Sequence, residues 1–466
     1  FRSLNSATTC QGCTNHCSLT VNRFGDGRTH IAGNRCEKPV SGRAKDLSLN
    51  LYAHKLELLD RWMKNEKDPG KPTVGLPLGL NMYELLPFWH DFWRSLGFNV
   101  LVSPLSDRSL YLRGQYTIPS DTACYPAKLM HGHIEELIEK GVDAIFYPCL
   151  TYNINEKESN DNHYNCPVVA YYSEVLNGNM YSLHGDVKFL FPYLTINNLD
   201  KLSEKLAEAL KDFNISKAAV RRAVDLGMQD YQQHMRDVKE EGARALAYAR
   251  EHGKDIIVLC GRPYHVDSGI CQGIDQLIES LGFVIVSEDC VADLVSPVGV
   301  NVINQWVYHS RLYNAAKYTA MHDDCQLVQL VSFGCGLDAI TTDEVRAILE
   351  KNDKFYTQIK IDEISNLGAA KIRLRSLAAA LEEKEENRDE IQSVLKRESG
   401  MSMYILTNSD KFYGDAVILY PDVLDDLKDM TGTDLYLLPS SVHEFIAVPC
   451  YEGIDAEELV NMVRSV

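Results

Sequence analysis

The sequence lacks any apolar run of about 18 residues, the length a membrane-crossing helix needs. It is also short of positive charge. Against 65 Asp and Glu stand 47 Lys and Arg, a formal net charge of −18. Nucleic acids and anionic membranes need a basic face, so neither is an expected partner. No GxxxxGK-S/T and no GxGxxG occurs, which excludes the familiar backbone cradles for ATP phosphates and dinucleotides in this chain. A secretory leader is missing too, but the chain starts at Phe1 and not at Met. The expectation is a piece of a longer polypeptide. Nor are the 13 cysteines an even set for a disulfide framework, which belongs mainly to small secreted domains. Reduced thiols in a cytoplasmic protein are expected instead, as core residues, nucleophiles or metal ligands.

What is present reads as several domains, because 466 residues exceed one compact core. Residues 1–45 are rich in Cys, Gly, Asn and Arg and read as a metal-stapled knuckle. After Lys67-Asp68-Pro69-Gly70-Lys71-Pro72 a β-α-β pattern begins, giving a first α/β lobe over 73–195. It contains strands at Thr73–Leu80, Phe98–Val102, Ala144–Cys149 and Pro167–Tyr172. Helices are expected at Tyr83–Leu96, regular from about Leu86 because of Pro87, and at Cys124–Lys140. A helical connector follows over 196–253. A second α/β lobe occupies 254–385, with strands Asp255–Cys260, Phe283–Ser287, Leu327–Ser332 and Phe355–Ile361. Its helices are expected at Ile274–Leu281, Val302–Met321 and Thr342–Lys351. A charged helix over 369–399 precedes a small α/β module at 400–466, with strands at Met403–Leu406, Ala416–Tyr420, Leu435–Leu438 and Phe445–Val448.

An internal repeat ties the two lobes together. RSLGFNVLVS (94–103) parallels ESLGFVIVS (279–287), each a helix end, a glycine cap and a strand. A later strand in each lobe ends in cysteine, AIFYPC at Cys149 and LVSFGC at Cys335. The intervals Gly97–Cys149 and Gly282–Cys335 differ by one residue. Two related open parallel sheets around a crevice are the simplest account. Ligands in such sheets bind beyond the carboxyl ends of the strands.

Chemistry-bearing residues gather at those strand ends. Cys124 opens a helix, where backbone N–H groups and the helix dipole favour thiolate. Cys149 and Cys335 end matching strands, and Cys166 precedes Pro167. Soft thiolates suit iron–sulfur clusters or zinc. A second group, Cys10-x2-Cys13-x3-Cys17 with Cys36, carries metal-ligand spacing on a glycine-rich segment, with His16 as a substitute ligand. Either zinc or 4Fe–4S is compatible with it. Cys260, Cys325 and Cys450 read as structural, while Cys271 and Cys290 fall near the crevice side. His131, His163 and Tyr264 are candidate proton donors. Arg262, Tyr264, His265 and Asp267 follow a strand where phosphate or a polar substrate could bind.

The segments SDTACYPAKLMHGHI (120–134), DAIFYPCL (143–150), DNHYNCPVV (161–169), GRPYHVD (261–267), QLVSFGCGLDAITTDEV (329–345) and IKIDEISNLGAAKIRLRSL (359–377) carry a resemblance. With CQGCTNHCSL and GNRCE, they resemble the large acyl-CoA dehydratase activase-related proteins of anaerobes over roughly 1–385. The region is similar to 2-hydroxyacyl-CoA dehydratase and benzoyl-CoA reductase subunits and to double-cubane cluster proteins. This resemblance implies an iron–sulfur cluster, 4Fe–4S or larger, between the lobes, at Cys124, Cys149 and Cys335, with Cys166 a further candidate. It implies a reductase or dehydratase component that receives electrons from an activase-type ATPase, on a separate chain or a preceding region. The expected substrate is small, such as a 2-hydroxyacyl-CoA or another CoA thioester. The alternative is a non-enzymatic electron-transfer or metal-scaffold protein, and a homodimer is a candidate assembly. The family's GRPYH motif usually continues with Asp-Pro and an Asn-His pair. Here it runs Asp267-Ser268-Gly269-Ile270-Cys271-Gln272, which leaves the role of the absent His without a counterpart and draws attention to Cys271. The tail, YILTNSDKFYGDAVILYPDVL (404–424) and LYLLPSSVHEFIAVP (435–449), resembles a different, uncharacterised family from gut Firmicutes.

Overall fold

A computed structural model describes residues 3–9, 18–24, 29–32, 50–156, 160–332, 334–363, 367–397, 404–406, 424–425, 427–428, 431–441, 444–450 and 459–460. Cys10, Cys13, Cys17, Cys36 and His16, the expected knuckle ligands, lie outside these residues, as does the strand expected at Ala416–Tyr420. The chain divides into two units, Phe1–Ala378 and Ala379–Val466.

The first unit begins with an antiparallel sheet of β1 (Ser3–Thr9), β2 (Ser18–Phe24) and β3 (Thr29–Ala32). Helix α1 (Leu51–Met63) follows, and then β4 (Thr73–Leu76), α2 (Met82–Ser95), β5 (Asn99–Val102), α3 (Arg108–Gly114) and α4 (Tyr125–Glu139). Next come β6 (Ala144–Phe146), β7 (Cys149–Leu150), α5 (Pro167–Asn179), β8 (Lys188–Leu190) and β9 (Tyr193–Leu194). Strands β5-β4-β6-β8 form a parallel sheet, and β7 pairs in parallel with β9. Helices α6 (Leu199–Ala209) and α7 (Lys217–Glu251) lead to β10 (Ile256–Cys260), α8 (Ser268–Cys271), α9 (Ile274–Ser280), β11 (Val284–Ser287) and α10 (Glu288–Val291). The unit continues with α11 (Val307–Ala320), β12 (Cys325–Ser332), α12 (Gly336–Glu350) and β13 (Tyr356–Ile361). Strands β11-β10-β12-β13 form a second parallel sheet. In both sheets the second strand lies outside the first, and the third and fourth follow on its other side. Helix α13 (Leu367–Arg397) runs across the division. The second unit holds β14 (Tyr404–Leu406), β15 (Leu435–Ser441) and β16 (Glu444–Pro449), antiparallel in the order β14-β16-β15.

The strand runs are short and apolar because both faces of each sheet are covered. Every residue of β4, β10, β11 and β12 is buried. Helix α2 supplies an aromatic core in which Phe88, Trp89, Phe92 and Trp93 are fully buried. Trp89 and Trp93 meet the Phe146 ring at 4.8 and 5.2 Å, edge to face. Such pairs contribute about 0.5–1.5 kcal/mol each beyond their buried area.

Four local expectations are corrected. Pro167–Tyr172 is the start of α5 and not a strand: proline fixes its own φ for a first helical turn and holds Cys166 extended before it (φ −60°, ψ 153°). Helix α2 starts at Met82, four residues before Leu86, and carries Pro87 inside it. The Ala144–Cys149 run splits into β6 and β7, which belong to different sheets. Helix α11 starts at Val307 and not at Val302, because 304–307 instead bridges Tyr164 through Tyr164 N–H to Gln305 O and Val307 N–H to Tyr164 O. The connector is no bare linker either. One face of α7 is buried, and Gly227 lets it approach so closely that an added Cβ would stand 2.6 Å from the Phe88 carbonyl oxygen.

Candidate functional site

Three long helices of the first unit begin on a cysteine. Cys124 is the N-cap of α4, Cys166 of α5 and Cys335 of α12. All three have extended backbone, as an N-cap requires. The Val169 N–H donates to Cys166 Sγ at 3.4 Å. Burial pushes the Cys124 thiol up to about 12, while the Ala127 N–H acts the other way. Burial likewise raises Cys166 and Cys335, against the N–H groups of Val169 and Val168 for the former. For Cys335 the Arg262 charge and the Asp338 and Leu337 N–H groups oppose the burial. On balance, burial favours the neutral thiol at all three. Each nevertheless offers the positive end of a helix to a thiolate.

The three thiols stand within electrostatic reach of one another. Cys166 and Cys335 both raise Cys124, and Cys335 raises Cys166. A backbone contact holds two of them in place. Gly334 lies so close to the preceding turn of α4 that an added Cβ would meet Thr122 O at 2.4 Å. The Lys128 Nζ donates to Glu363 Oε1 at 2.8 Å, a second tie between α4 and the segment after β13. A third tie runs through Asp267, which accepts from the Ser106 N–H at 3.0 Å and from the Tyr83 hydroxyl. Cys149 has other partners of its own. Its thiol pairs with Ser173 Oγ at 3.0 Å, and its electrostatic neighbour is Glu174.

A buried cation sits against the thiols. Arg262, 3% exposed, follows β10, forms an ion pair with Asp338 and points Nη2 at Cys335 Sγ, 3.5 Å away. Its field lowers all three thiols. The sequence points Arg262 at phosphate or a polar substrate; its partner here is the Asp338 carboxylate in the first turn of α12. Tyr264 is buried, with its hydroxyl raised by burial and by Cys166, Cys124 and Cys335. Tyr147, just past β6, is fully buried and feels Cys149, Cys166 and Cys124. The sequence marked neither Asp338 nor Tyr147, although Tyr147 adjoins Cys149 in the motif FYPC.

The candidate proton donors separate. Thr117 Oγ1 donates to Gly114 O at 2.9 Å and meets His131 Nδ1 at 2.8 Å, so the imidazole must be the donor in that pair. His131 Nε2 is then the acceptor for the Tyr172 hydroxyl at 3.1 Å. Burial pulls His131 down to about 4. Tyr172 in turn lies near Cys124, so His131 reaches the thiols through it. His163 is elsewhere, half-buried on Asn197 Nδ2 at 2.8 Å. Cys271 is tied to Asp275 at 3.6 Å, and Cys290 donates to Val238 O at 3.4 Å in the core. Cys260 and Cys325 are core residues as read, and Cys450 is half-buried.

Residues 73–291 match a family described as the CoA enzyme activase uncharacterised domain. This segment carries β4 through α10, Cys124, Cys166 and Arg262. It agrees with the activase-related resemblance for that part of the chain. Residues 340–466 match a family of unknown function. No curated protein matches the chain. Among solved structures, a putative sugar binding protein from Salmonella typhimurium LT2 aligns over 71% of this chain and 98% of its own. The identity is 11% and the TM-score 0.17, so that alignment carries no argument about fold.

Among the described residues no three His, Cys, Asp or Glu side chains are grouped to hold a single metal ion. A cluster spreads its cysteines over different irons, so its ligands stand farther apart than those of one ion. The donor set fits such a group: three thiols on helix N-termini, a guanidinium to offset thiolate charge, and the hydroxyl of Tyr147 without a hydrogen-bond partner among the described residues. No helix among the described residues is long and apolar enough to cross a membrane.

Proposed function

We propose that the chain is the iron–sulfur component of an ATP-dependent, low-potential reductase or dehydratase system. The carrying observation is the convergence of Cys124, Cys166 and Cys335 on three helix N-termini beside Arg262. The matched strand order of the two sheets supports two lobes around a crevice, since ligands of open parallel sheets bind beyond the carboxyl ends of the strands. Bound there, a cluster supplies one-electron chemistry at low potential. The match to a CoA enzyme activase domain supports an activase-type ATPase as electron donor and a CoA thioester as substrate class.

Within this reading the chain's own residues divide the work. Cys124, Cys166 and Cys335 hold the group. Arg262 offsets negative charge as electrons arrive. Tyr264 borders the thiols, and His131 reaches them through Tyr172, so both are placed to hold protons near the site. Cys124 is buried, and Cys166 and Cys335 are half-buried.

Anaerobic purification followed by iron and acid-labile sulfide analysis tests the proposal. A brown protein with a 4Fe–4S signature, lost in Cys124→Ser, Cys166→Ser and Cys335→Ser, is expected. A colourless protein containing zinc alone would overturn it. Three converging thiols favour an open iron position and hence catalysis. The electron-transfer alternative requires a fourth, and Cys149 is the candidate: cluster loss in Cys149→Ser would favour that alternative.

A further inference from the structure

One buried polar group at this site has no role in anything described so far. Tyr147 is 0% exposed, and its backbone N–H is fixed to Leu190 O at 3.0 Å. Its hydroxyl meets no hydrogen-bond partner among the described residues. Leaving such a group unmatched in a dry interior costs about 1–3 kcal/mol, and a buried polar atom nearly always has a partner.

Two neighbours are already committed. The Tyr172 hydroxyl donates to His131 Nε2, and Cys149 Sγ pairs with Ser173 Oγ. Cys166 Sγ accepts from the Val169 N–H, and Cys124, whose side chain makes no capping bond, makes none to the phenol either, although both thiols act on it electrostatically. A phenol O–H is a donor, whereas thiolate and sulfide sulfurs are acceptors. The missing acceptor therefore has the chemistry of the group these thiols would hold.

We propose that Tyr147 donates its O–H to a sulfur of the bound cluster and thereby sets the cluster's reduction potential. This rests on the reading of the site as an iron–sulfur centre. Tyr147 is a positioning residue, since its effect passes through the cluster and not through the substrate. A hydrogen bond to sulfur stabilises the reduced, more negative state and raises the potential.

The test is Tyr147→Phe, which keeps the ring and removes only the hydroxyl. In the metal-free chain it should melt no lower than the wild type, because no protein partner is lost. After anaerobic reconstitution it should carry the same iron and sulfide per chain, with a midpoint potential shifted to more negative values in a redox titration followed by EPR. An unchanged potential would overturn this inference and leave the iron–sulfur reading standing. So would a metal-free variant that melts several degrees lower, since the hydroxyl would then already have a structural partner. A wild-type chain that takes up no cluster would sink both together.

Discussion

Arg262 owes its charge in the interior to Asp338, with which it is almost wholly buried. Arg262→Gln removes the cation and leaves that carboxylate unpaired, so it should cost about 3–5 kcal/mol in urea unfolding. The double variant with Asp338→Asn should recover part of the loss, since neither charge then remains. A second buried group gives a pH signature. Burial and the neighbouring Asp289 push Glu288 up to about 7, above its ordinary value. The unfolded chain therefore ionises this carboxyl first. Its contribution to stability is present at acid pH and is lost as pH rises from the usual carboxylate range to about 7. Glu288→Gln should thus stabilise the chain more at pH 8 than at pH 4, read as the difference in denaturation midpoints. Asp289 opposes it: Lys55, at 2.5 Å, and Arg311 hold its carboxyl well below the usual range despite burial. At this scale the sequence draws attention to the cysteines, because thiols at element ends are rare and chemically soft. It did not mark Tyr147 or Asp338, because a Tyr just past a strand and an Asp in a helix become special only through what other elements bring beside them.

Helix endings were legible because they obey local rules. Gly97 and Gly282, found as a repeated Leu-Gly-Phe, both adopt the left-handed region at φ +92° and +97°. After α2 the Gly97 N–H reaches Arg94 O at 3.0 Å and the Phe98 N–H reaches Trp93 O at 3.2 Å, the paired bonds of a Schellman motif. An added Cβ would meet nothing within 4 Å at either glycine. Any cost of Gly97→Ala or Gly282→Ala is then backbone strain alone, about 1–2 kcal/mol and alike at the two sites by thermal unfolding. Helix beginnings were harder to read. Cys166-Pro167-Val168-Val169 has the β-branched composition of a strand, but the proline decides for a helix. That same misread residue, Cys166, turned out to be the third N-cap thiol, so an error about one element hid the common rule behind the site. Cys149, read as the counterpart of Cys335, instead opens β7 in a separate two-stranded sheet, and no helix begins on it.

At the scale of the whole first unit, the parallel sheets followed from the periodicity and the repeat, whereas their strand order, and β8 as the fourth strand of the first sheet, did not. The strand ends and the resemblance point to a gathering of residues 124, 149, 166 and 335, but contacts such as Gly334 against Thr122 have no local signal. Gly334→Ala should force the turn before Cys124 away from Cys335, since the obstructing atom is backbone. Overpacking of this kind costs about 1–3 kcal/mol, and reconstituted iron per chain should fall with it. A fold-preserving loss of iron, checked by far-UV circular dichroism, is the expected outcome.

The strand order of the second sheet has one more consequence. The stretch that matches the activase domain stops at residue 291, within the sheet's sequence and before β12. In the folded chain β12 is the strand between β10 and β13, and Cys335 lies just past it. A fragment cut at the edge of the family match would keep two of the three thiols and bare the apolar flank of β10. Such an open strand invites pairing with another chain. Residues 73–291 expressed alone should therefore aggregate, by light scattering, where 50–378 stays dispersed. The edge of the family match and the edge of the folded unit fall in different places.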